Sequence, residues 1–382
     1  MPTLSTDSTQ QPYQFYVGID IAAATATAAW LRADPNPNPN PNPNPNPNAK
    51  DNPQPANQGS RARQGSRAFT FEQSPKGYTA LQRKLHSLGA GTSPHSPQHT
   101  LVVMEATSTY WIMLASHLHE EGYCVSVVNP AQAHHFAKAQ LKRAKTDALD
   151  AHTLAQLAAT LKPACWTPPP AIYHQLQQRL SLRDNLLNML GQVRNQLHAL
   201  LQNRVVVPSV KEHLEGLIGT LTEQLHEVEG EVQEVVEQDQ EWGGSIIRLQ
   251  SIKGVGLITA GWLVVCTLNF TACPSVDSLT SYIGLAPMPR QSGSSVRGRP
   301  SIGHSGKERA RTALYLATLS AARYNPAIQA FYERLRAKGK PSKVARCAAA
   351  RKLLHIAWAI NKNQTVFDPA YSQNEVLHQI AW

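Results

Sequence analysis

The chain has 382 residues, with 36 Lys+Arg against 26 Asp+Glu, a formal net charge of +10 and an apolar fraction of 42%. Because single hydrophobic cores rarely grow beyond ~250–300 residues, this length predicts two or three domains, and the apolar fraction excludes a wholly disordered chain. The sequence has neither the run of ~18 apolar residues that crosses a membrane nor the basic and then apolar start of a secretory signal. It therefore predicts a cytoplasmic protein without a membrane partner.

The cysteines are widely spaced and include no CxxC pair: Cys124, Cys165, Cys266, Cys273 and Cys347. An odd number at such spacings is not typical of a zinc site or of a disulfide framework. We expect these side chains to be small buried hydrophobes in a reducing compartment.

The first predicted elements are two short strands within residues 15–31, the first of which ends at Asp20. Seven Pro-Asn dipeptides follow, and the sequence QGSRA then occurs twice. Alternating prolines cannot donate the hydrogen bonds of a sheet, so residues 34–66 are predicted to be a low-complexity insertion at a hairpin tip, where a longer loop costs little. A third strand at 67–72 and an amphipathic helix at 77–88 follow it.

Further strands alternate with helices. Residues 100–107 form an apolar strand that carries Glu105, and a helix at 110–121 leads to another strand at 123–128. Helical sequence continues to residue 161 and ends before a proline-rich segment. Strands first in a meander and then alternating with helices predict an α/β domain with a mixed sheet over residues 13–166.

The middle of the chain, residues 171–242, is predicted to be a helical coiled-coil hairpin. Leucines and valines recur at three- or four-residue spacings on both sides of Pro208, which is typical of two helices joined by a turn. Residues 209–241 hold ten acids against one base. The hairpin could pack only on itself, but its length and acidic outer face are equally suited to pairing between copies, as in a homodimer or tetramer.

The last domain, residues 246–362, is predicted to be mostly α-helical and is followed by a tail at 363–382. Its sequence KGVG, which begins at Lys253, joins two short helices as in a helix-hairpin-helix motif, where glycines let backbone N–H groups approach a phosphate. A loop rich in Gly, Ser and Arg follows at residues 287–306, and helices then continue to residue 362.

The positive charge is concentrated in this last domain. Residues 286–352 contain 15 Lys+Arg and two acids, so the rest of the chain holds 36 − 15 = 21 bases against 26 − 2 = 24 acids. A basic block with interleaved tyrosines suits a polyanion such as nucleic acid, whereas the alternative is a solvated cationic face.

Four acids stand at positions where they could share a cleft. Asp20 and Glu105 end apolar strands, and Asp147 and Asp150 lie three residues apart at a predicted helix start, so they face one side of it. Carboxylates gathered in this way hold paired Mg²⁺ ions in phosphoryl-transfer enzymes. The alternative is that Asp147 caps its helix, Asp150 is solvated and the strand-end acids are incidental.

Five motifs follow one another along the chain: YVGID, VVMEATSTYW, VSVVNPAQAHHFAKAQLKRAKTDALDAHTLA, PRQSGSSVRG and GHSGKERARTALYLATL. In this order they resemble the DEDD transposases of bacterial insertion sequences, which are relatives of the Piv DNA invertase and include recombinases guided by a bridge RNA. The resemblance implies a RuvC/RNase-H-like first domain, a coiled coil, and a C-terminal serine-recombinase-type domain. The Pro-Asn insertion departs from the family pattern but spares every motif.

The resemblance also implies functional residues. It assigns Asp20, Glu105, Asp147 and Asp150 to a Mg²⁺ centre, and it selects Ser292 as a nucleophile, a choice that spacing alone leaves open between Ser292, Ser294 and Ser295. Two arginines of the same loop, Arg297 and Arg299, could neutralise charge at the attacked phosphate. Three further cations near the next helix are expected to contact phosphates: Lys307, Arg309 and Arg311.

The expected function is a DNA transposase or recombinase that cuts and rejoins double-stranded donor and target DNA through a phosphoserine intermediate, with a structured guide RNA as a partner. One rival is a Mg²⁺-dependent, resolvase-like nuclease in which water attacks and the serine is incidental. The other is a non-catalytic, domesticated nucleic-acid-binding protein. The serine loop counts against the first rival, and the intact set of four acids counts against the second.

Overall fold

A computed structural model describes residues 13–33, 68–88, 97–107, 109–141, 146–292, 296–303 and 305–369. The chain divides into two compact units between Pro168 and Pro169, and each unit is described by itself. The predicted insertion at 34–66 lies outside the described residues, as does most of the predicted tail. No described helix is both long enough and apolar enough to cross a membrane.

The first unit is built on a five-stranded mixed sheet. Its strands are β1 (Phe15–Ile21), β2 (Thr25–Arg32), β3 (Phe69–Glu72), β4 (Thr100–Glu105) and β5 (Cys124–Val128). They lie in the order β3-β2-β1-β4-β5. Strand β1 pairs antiparallel with β2, which pairs antiparallel with β3, whereas β1, β4 and β5 are parallel. The mixed α/β class is therefore confirmed for this part of the chain.

Both faces of this sheet are covered by helices, because its central strands are apolar on both sides. Side chains that include Val17 and Met104 pack in one core with α1 and α2, and side chains that include Tyr16 and Val103 pack in another with α3 and α4. The helices are α1 (Pro75–Ser87), α2 (Trp111–Glu120), α3 (Pro130–Ala139) and α4 (Asp147–Leu161).

The expectation that all cysteines are unpaired was wrong. Cys124 and Cys165 form a disulfide, with Cα atoms 5.5 Å apart. Their separation of 41 residues hid the pair in the sequence, and β5 brings them together because the segment after α4 returns along it, where the Trp166 N–H donates to the Val125 carbonyl at 2.6 Å. Cys266, Cys273 and Cys347 are free.

The second unit begins with two 31-residue helices, α5 (Ala171–Leu201) and α6 (Pro208–Gln238), which pack on each other as a hairpin. Leu186, Leu190 and Leu221 belong to a small core within the hairpin. Ion pairs such as Arg179–Glu231 and Arg183–Glu229 cross between the two helices.

The base of the hairpin shares one large core with the C-terminal helices. This core includes Leu176 and Leu180 of α5 together with apolar side chains of the helices that follow α6. Those elements are α7 (Trp242–Gln250), α8 (Leu257–Cys266), α9 (Val276–Ile283), β6 (Met288–Ser292), β7 (Val296–Ser301), α10 (Glu308–Tyr324), α11 (Pro326–Ala337) and α12 (Ser342–Asn363).

Within residues 287–306, where we expected a loop, the structure describes two strands. Strands β6 and β7 form an antiparallel ladder in which Ser292 pairs with Val296 and Arg290 pairs with Gly298. The Gly- and Ser-rich composition of the segment concealed these strands. An irregularity in the register between Met288 and Arg290 coincides with a proline, which cannot donate to a ladder.

Candidate active site and nucleic-acid interface

Asp20 and Glu105 lie at the same edge of the sheet. Strands β1 and β4 are parallel, and their paired positions end with Ile19 opposite Met104, so Asp20 and Glu105 follow at the next position of each strand. Alternation along β1 places Asp20 on the face of Gly18, and the same rule places Glu105 on the face of Val103. This is the face that packs against α4.

Helix α4 approaches this face because β1 has no side chain at residue 18. A Cβ atom at Gly18 would lie 2.1 Å from the Ala151 carbonyl oxygen and 2.2 Å from the Ala155 nitrogen. The helix starts at Asp147 and is capped by Thr146, whose hydroxyl accepts from the Leu149 N–H at 3.3 Å. The alternative in which Asp147 caps the helix is therefore wrong.

The charges at this edge are close enough to affect one another. The pKa of Asp20 is raised from 3.8 to about 6, first by burial and then by the negative charges of Asp150 and Asp147, with a smaller contribution from Glu105. A hydrogen bond from the Ile21 backbone opposes this rise. All four predicted acids therefore act on one locus, although they come from two strands and one helix.

This locus fits a hard divalent cation in the chemistry of its donors and in its charge. Carboxylate oxygens are the ligands that Mg²⁺ prefers, and the mutual repulsion felt by Asp20 is what a bound cation would relieve. Among the residues that the structure describes, no three His, Cys, Asp or Glu side chains are already drawn together at metal-binding distances. Binding would therefore require the carboxylates to move closer to one another.

The acidic edge is the end of the sheet where Asp20 and Glu105 lie near Asp147 and Asp150. Two polar residues that the sequence analysis missed form hydrogen bonds there. The Thr107 hydroxyl donates to Glu105 Oε1 at 2.6 Å. Gln73 Nε2 donates to the Ala22 carbonyl at 3.3 Å and to the Tyr110 carbonyl at 3.2 Å, so one amide links the segment after β1 to the segment after β4. An isolated Gln has no sequence signal, but Thr107, two residues after a strand-end acid, could have been found by its position.

Ser292 is the last residue of β6, next to the hairpin tip. Its ladder partner is Val296, and Arg297 pairs with Gln291. The backbone thus holds Ser292 and Arg297 near the tip and Arg299 farther along β7. The roles expected for these three side chains stay predictions, as does the choice of Ser292, because Ser294 and Ser295 lie outside the described residues.

The KGVG turn lies between α7 and α8, and its two glycines differ in purpose. Gly254 has a φ of +100°, and a Cβ there would lie 2.7 Å from Ala321 of α10, so this glycine is required by backbone conformation and packing. Gly256 begins α8 with open space around it and no side-chain cap. Lys253 is exposed and belongs to no ion pair among the described residues. Lys253 and Gly256 therefore suit a phosphate better than Gly254 does.

The three cations around the start of α10 already have partners within the protein. Arg309 Nη1 donates to Asp184 Oδ2 at 2.8 Å, and Lys307 Nζ lies 5.3 Å from the ring centroid of Tyr282. Arg311 Nη1 donates to the Ile283 carbonyl at 3.2 Å and to the Ser305 carbonyl at 2.8 Å. These contacts give Arg311 a structural task that its sequence position did not reveal. Phosphate binding by Lys307, Arg309 and Arg311 stays a prediction.

Both units match family models of transposases. Residues 61–206 match a DEDD-type model described as transposase, and residues 247–333 match the model of the transposase IS116/IS110/IS902 family. The first match begins after β2 and therefore does not include Asp20.

Three proteins of similar sequence are described as a gene-inverting protein, a transposase and a protein of an insertion element. The chain is 32% identical over 269 residues to the pilin gene-inverting protein of Moraxella bovis, which covers 70% of this chain and 81% of that protein. It is 25% identical over 297 residues to the transposase for insertion sequence element IS1328 of Yersinia enterocolitica, covering 70% and 85%. A protein of insertion element IS110 from Streptomyces coelicolor is 32% identical over 120 residues, which cover 31% of this chain and 29% of that protein.

The chain joins an acidic edge on a mixed sheet to a basic helical unit, an arrangement that suits the processing of nucleic acid. The matched family models define its class as transposase. The extent of the match to the Moraxella protein makes the assignment specific. The chain belongs to the IS116/IS110/IS902 family of transposases.

Proposed function

We propose that this transposase cuts and rejoins double-stranded DNA through a phosphoserine intermediate on Ser292, with a RuvC-like first unit that uses Mg²⁺. The observation that carries the proposal is the convergence of Asp20, Glu105, Asp147 and Asp150 on one edge of the sheet in a member of a transposase family. The names of the relatives support DNA as the substrate, because one inverts a gene and another transposes an insertion sequence.

The four carboxylates would hold Mg²⁺, which when bound would activate a nucleophile and stabilise the charge of a leaving oxygen. The chain itself prepares this locus in two ways. Gly18 allows α4 to bring Asp147 and Asp150 towards Asp20, and Thr107 orients Glu105 through its hydroxyl. Gln73 keeps the segments after β1 and β4 together.

The serine step conserves the energy of the phosphodiester bond. The Ser292 oxygen forms a bond to phosphorus, its proton leaves to a base, and the bond from phosphorus to the leaving DNA oxygen breaks, after which that oxygen takes up a proton. A DNA hydroxyl then attacks the phosphoserine, restores a phosphodiester and releases the serine. Exchange of one ester for another needs no external energy source, whereas hydrolysis would lose the bond. In the ladder of β6 and β7, Ser292 is paired with Val296.

A guide RNA and self-assembly complete the proposal. The guide RNA follows from the family resemblance alone. Assembly of copies is supported by apolar side chains exposed towards the turn of the α5–α6 hairpin, where Leu201 is 49% exposed, Val205 77% and Val207 51%. We place this reaction in the cytoplasm, where bacterial DNA is accessible.

The deciding experiment is a search for a covalent adduct. The purified full-length protein is incubated with Mg²⁺, with RNA transcribed from the DNA that flanks its gene, and with a nicked DNA substrate that stalls rejoining. Tryptic peptides are then analysed by mass spectrometry. We expect a nucleotide on Ser292, and we expect Ser292→Ala to abolish the adduct while it retains the wild-type circular dichroism spectrum. Ser301→Ala, in the paired strand β7, is the matched control and should keep the adduct.

The rival functions give different results in the same experiment. Cleavage by Ser292→Ala that leaves free 5′-phosphate ends would establish the resolvase-like nuclease, in which water is the nucleophile. Nucleic-acid binding without any cleavage, at all Mg²⁺ concentrations, would establish the non-catalytic protein. An adduct on Ser294 or Ser295 would retain the reaction and move the nucleophile.

A further inference from the structure

A groove on the second unit lies between α10, α11 and the start of α12. Its volume is about 460 Å³, within the ~300–1,000 Å³ range of ligand sites. The groove contains no acidic side chain, and its lining includes Leu319, Ser320, Arg323, Tyr324, Tyr332 and Arg346. It involves neither the acidic edge nor the β6–β7 hairpin.

Two arginines give this groove an uncompensated positive charge. Arg323 is exposed and Arg346 is half-buried, and within the described residues neither forms an ion pair with a carboxylate. The nearest acid along α11, Glu333, already accepts a hydrogen bond from Gln329 at 3.0 Å. An anionic ligand would therefore be attracted, and a guanidinium fork is suited to phosphate oxygens.

Two tyrosines supply aromatic surface in the same groove. Tyr324 is 65% exposed at the C-terminal end of α10, so its ring is accessible to a ligand in the groove. Tyr332 is half-buried, and its hydroxyl shares a hydrogen bond of 3.2 Å with the Ser342 hydroxyl, so its ring is held between α11 and α12. The groove thus offers one accessible ring and one fixed ring.

The corner that presents Tyr324 is rigid. Asn325 is fully buried, and its Oδ1 accepts from the Ala327 N–H at 3.2 Å and the Ile328 N–H at 3.3 Å, which starts α11. Its Nδ2 donates to the Lys253 carbonyl at 3.4 Å, so the backbone of the KGVG turn is joined to the residue next to Tyr324. These hydrogen bonds fix the backbone beside Tyr324, so only the side chain of Tyr324 has to be ordered when its ring stacks on a ligand.

We propose that this groove binds an unpaired nucleotide of a single-stranded nucleic-acid segment, with the base stacked on Tyr324 and the adjoining phosphates held by Arg323 and Arg346. Unpaired bases are favoured over a duplex because a paired base has both faces covered by its neighbours and cannot reach a tyrosine in a groove. This goes beyond the proposed DNA cleavage, which needs no unpaired-nucleotide site, and it names a specific surface within the basic block.

Binding is measured by fluorescence anisotropy with Ser292→Ala protein in EDTA, so that the result does not depend on strand cleavage. The probes are a 12-nucleotide RNA, a DNA of the same sequence, and the matching DNA duplex. Each single strand carries one 2-aminopurine, whose fluorescence falls when the base stacks on an aromatic ring. Tighter binding of RNA would identify a guide as the source of the unpaired nucleotide, and tighter binding of DNA would identify a displaced DNA strand.

Four variants test the contacts separately. Tyr324→Leu should weaken single-strand binding at least about fivefold and remove the 2-aminopurine quenching, whereas Tyr324→Phe should keep both, because stacking needs only the ring. Arg323→Gln and Arg346→Gln should each lower the slope of log K against log salt by about 0.7, the contribution of one phosphate on a single strand. Duplex binding should change less than twofold in all four. Lys362→Gln, on α12 outside the groove, is the matched charge control and should leave the quenching intact.

Equal losses for the duplex and the single strands would overturn the proposal, since they would mean that the groove carries only general positive charge. Quenching that persists in Tyr324→Leu would also overturn it, because the base would then stack elsewhere. Tyr324 and Arg323 are exposed, so these variants keep the fold, which circular dichroism and thermal unfolding verify. Failure of this proposal leaves the adduct on Ser292 as an independent question.

Discussion

Replacing Asp20 with Asn should stabilise the metal-free protein while it removes DNA cleavage. The carboxylate of Asp20 is about half-buried, and it faces the negative charges of Asp150, Asp147 and Glu105. An amide of the same shape keeps the packing and loses the repulsion. A residue proposed to hold Mg²⁺ is therefore expected to destabilise the metal-free fold.

The size of this effect follows from the pKa of Asp20. The rise from 3.8 to about 6 corresponds to at most about 3 kcal/mol, since one pKa unit is worth about 1.36 kcal/mol. Because the group is only half-buried, solvent screening reduces this value, and we expect about 1–2 kcal/mol.

The contribution of Asp20 to the free energy of unfolding changes with pH in the opposite direction to that of a carboxylate in a salt bridge. The folded-state pKa is raised, so the folded protein holds the proton more tightly than the unfolded chain does. Below about pH 4, Asp20 is protonated in both states and costs nothing. The cost grows as the pH rises from about 4 to about 6, and it is fully present at pH 7 and above.

The assay is urea unfolding in EDTA at pH 4.5 and pH 8, followed by hydrogen exchange of peptides from β1 and β4, which report on the first unit alone. Asp20→Asn should be more stable than the wild type at pH 8, and this gain should fall to about a third of its pH 8 value at pH 4.5. Glu120→Gln, an exposed carboxylate on α2, is the control and should show no such difference. Addition of Mg²⁺ at pH 8 should stabilise the wild type more than Asp20→Asn.

A destabilised Asp20→Asn at pH 8, or an equal stability gain at both pH values, would refute the idea that the four carboxylates repel one another in the folded protein. It would also remove the main support for the cation site, because that site rests on the same electrostatic convergence.

Three further predictions concern the first unit and its controls. Gly18→Ala should lower the free energy of unfolding by about 1–3 kcal/mol or more, because a Cβ would meet backbone atoms of α4. Gly216→Ala on α6, where a Cβ would meet open space, should raise it by up to about 1 kcal/mol. Urea unfolding measures both variants, and a tolerated Gly18→Ala would contradict the close approach of α4 to β1. Reduction of Cys124–Cys165, which closes a separation of 41 residues, should lower stability by about 2–4 kcal/mol, and Cys124→Ser with Cys165→Ser should be insensitive to reductant. Deletion of residues 35–48 should leave the adduct yield within about twofold, and a loss as large as that of Asp147→Ala would show that the insertion has a function.

Much of the first unit was predictable, because its signals are local. Alternating apolar runs placed all five strands, and the start of α4 was read from Asp147 to within one residue of its cap at Thr146. The strand-end position of Asp20 and Glu105 was enough to place both at one edge, since parallel neighbours end together. Periodicity likewise located α5 and α6, although it did not show that the base of the hairpin joins the C-terminal core.

The missed features depend on contacts between distant residues or on composition that conceals regular structure. The disulfide joins Cys124 to Cys165 only after β5 and the segment beyond α4 come together. The β6–β7 hairpin has few β-formers, so its Gly, Ser and Pro residues pointed to a loop. Arg311 looked like a phosphate ligand because it is basic, and only the structure shows its guanidinium on two carbonyl oxygens.

The insertion separates Asp20 along the chain from the other three acids. The matched DEDD-type region begins at residue 61, beyond the Pro-Asn repeat, whereas Asp20 lies before it. In the fold this separation disappears, because β2 pairs with β3 across the insertion and β1 pairs directly with β4. The four acids are thus united by sheet pairing and by the missing side chain of Gly18. The insertion between β2 and β3 therefore separates Asp20 from the other three acids along the chain but not in space. A member of the family can thus carry the repeat and keep the acidic edge.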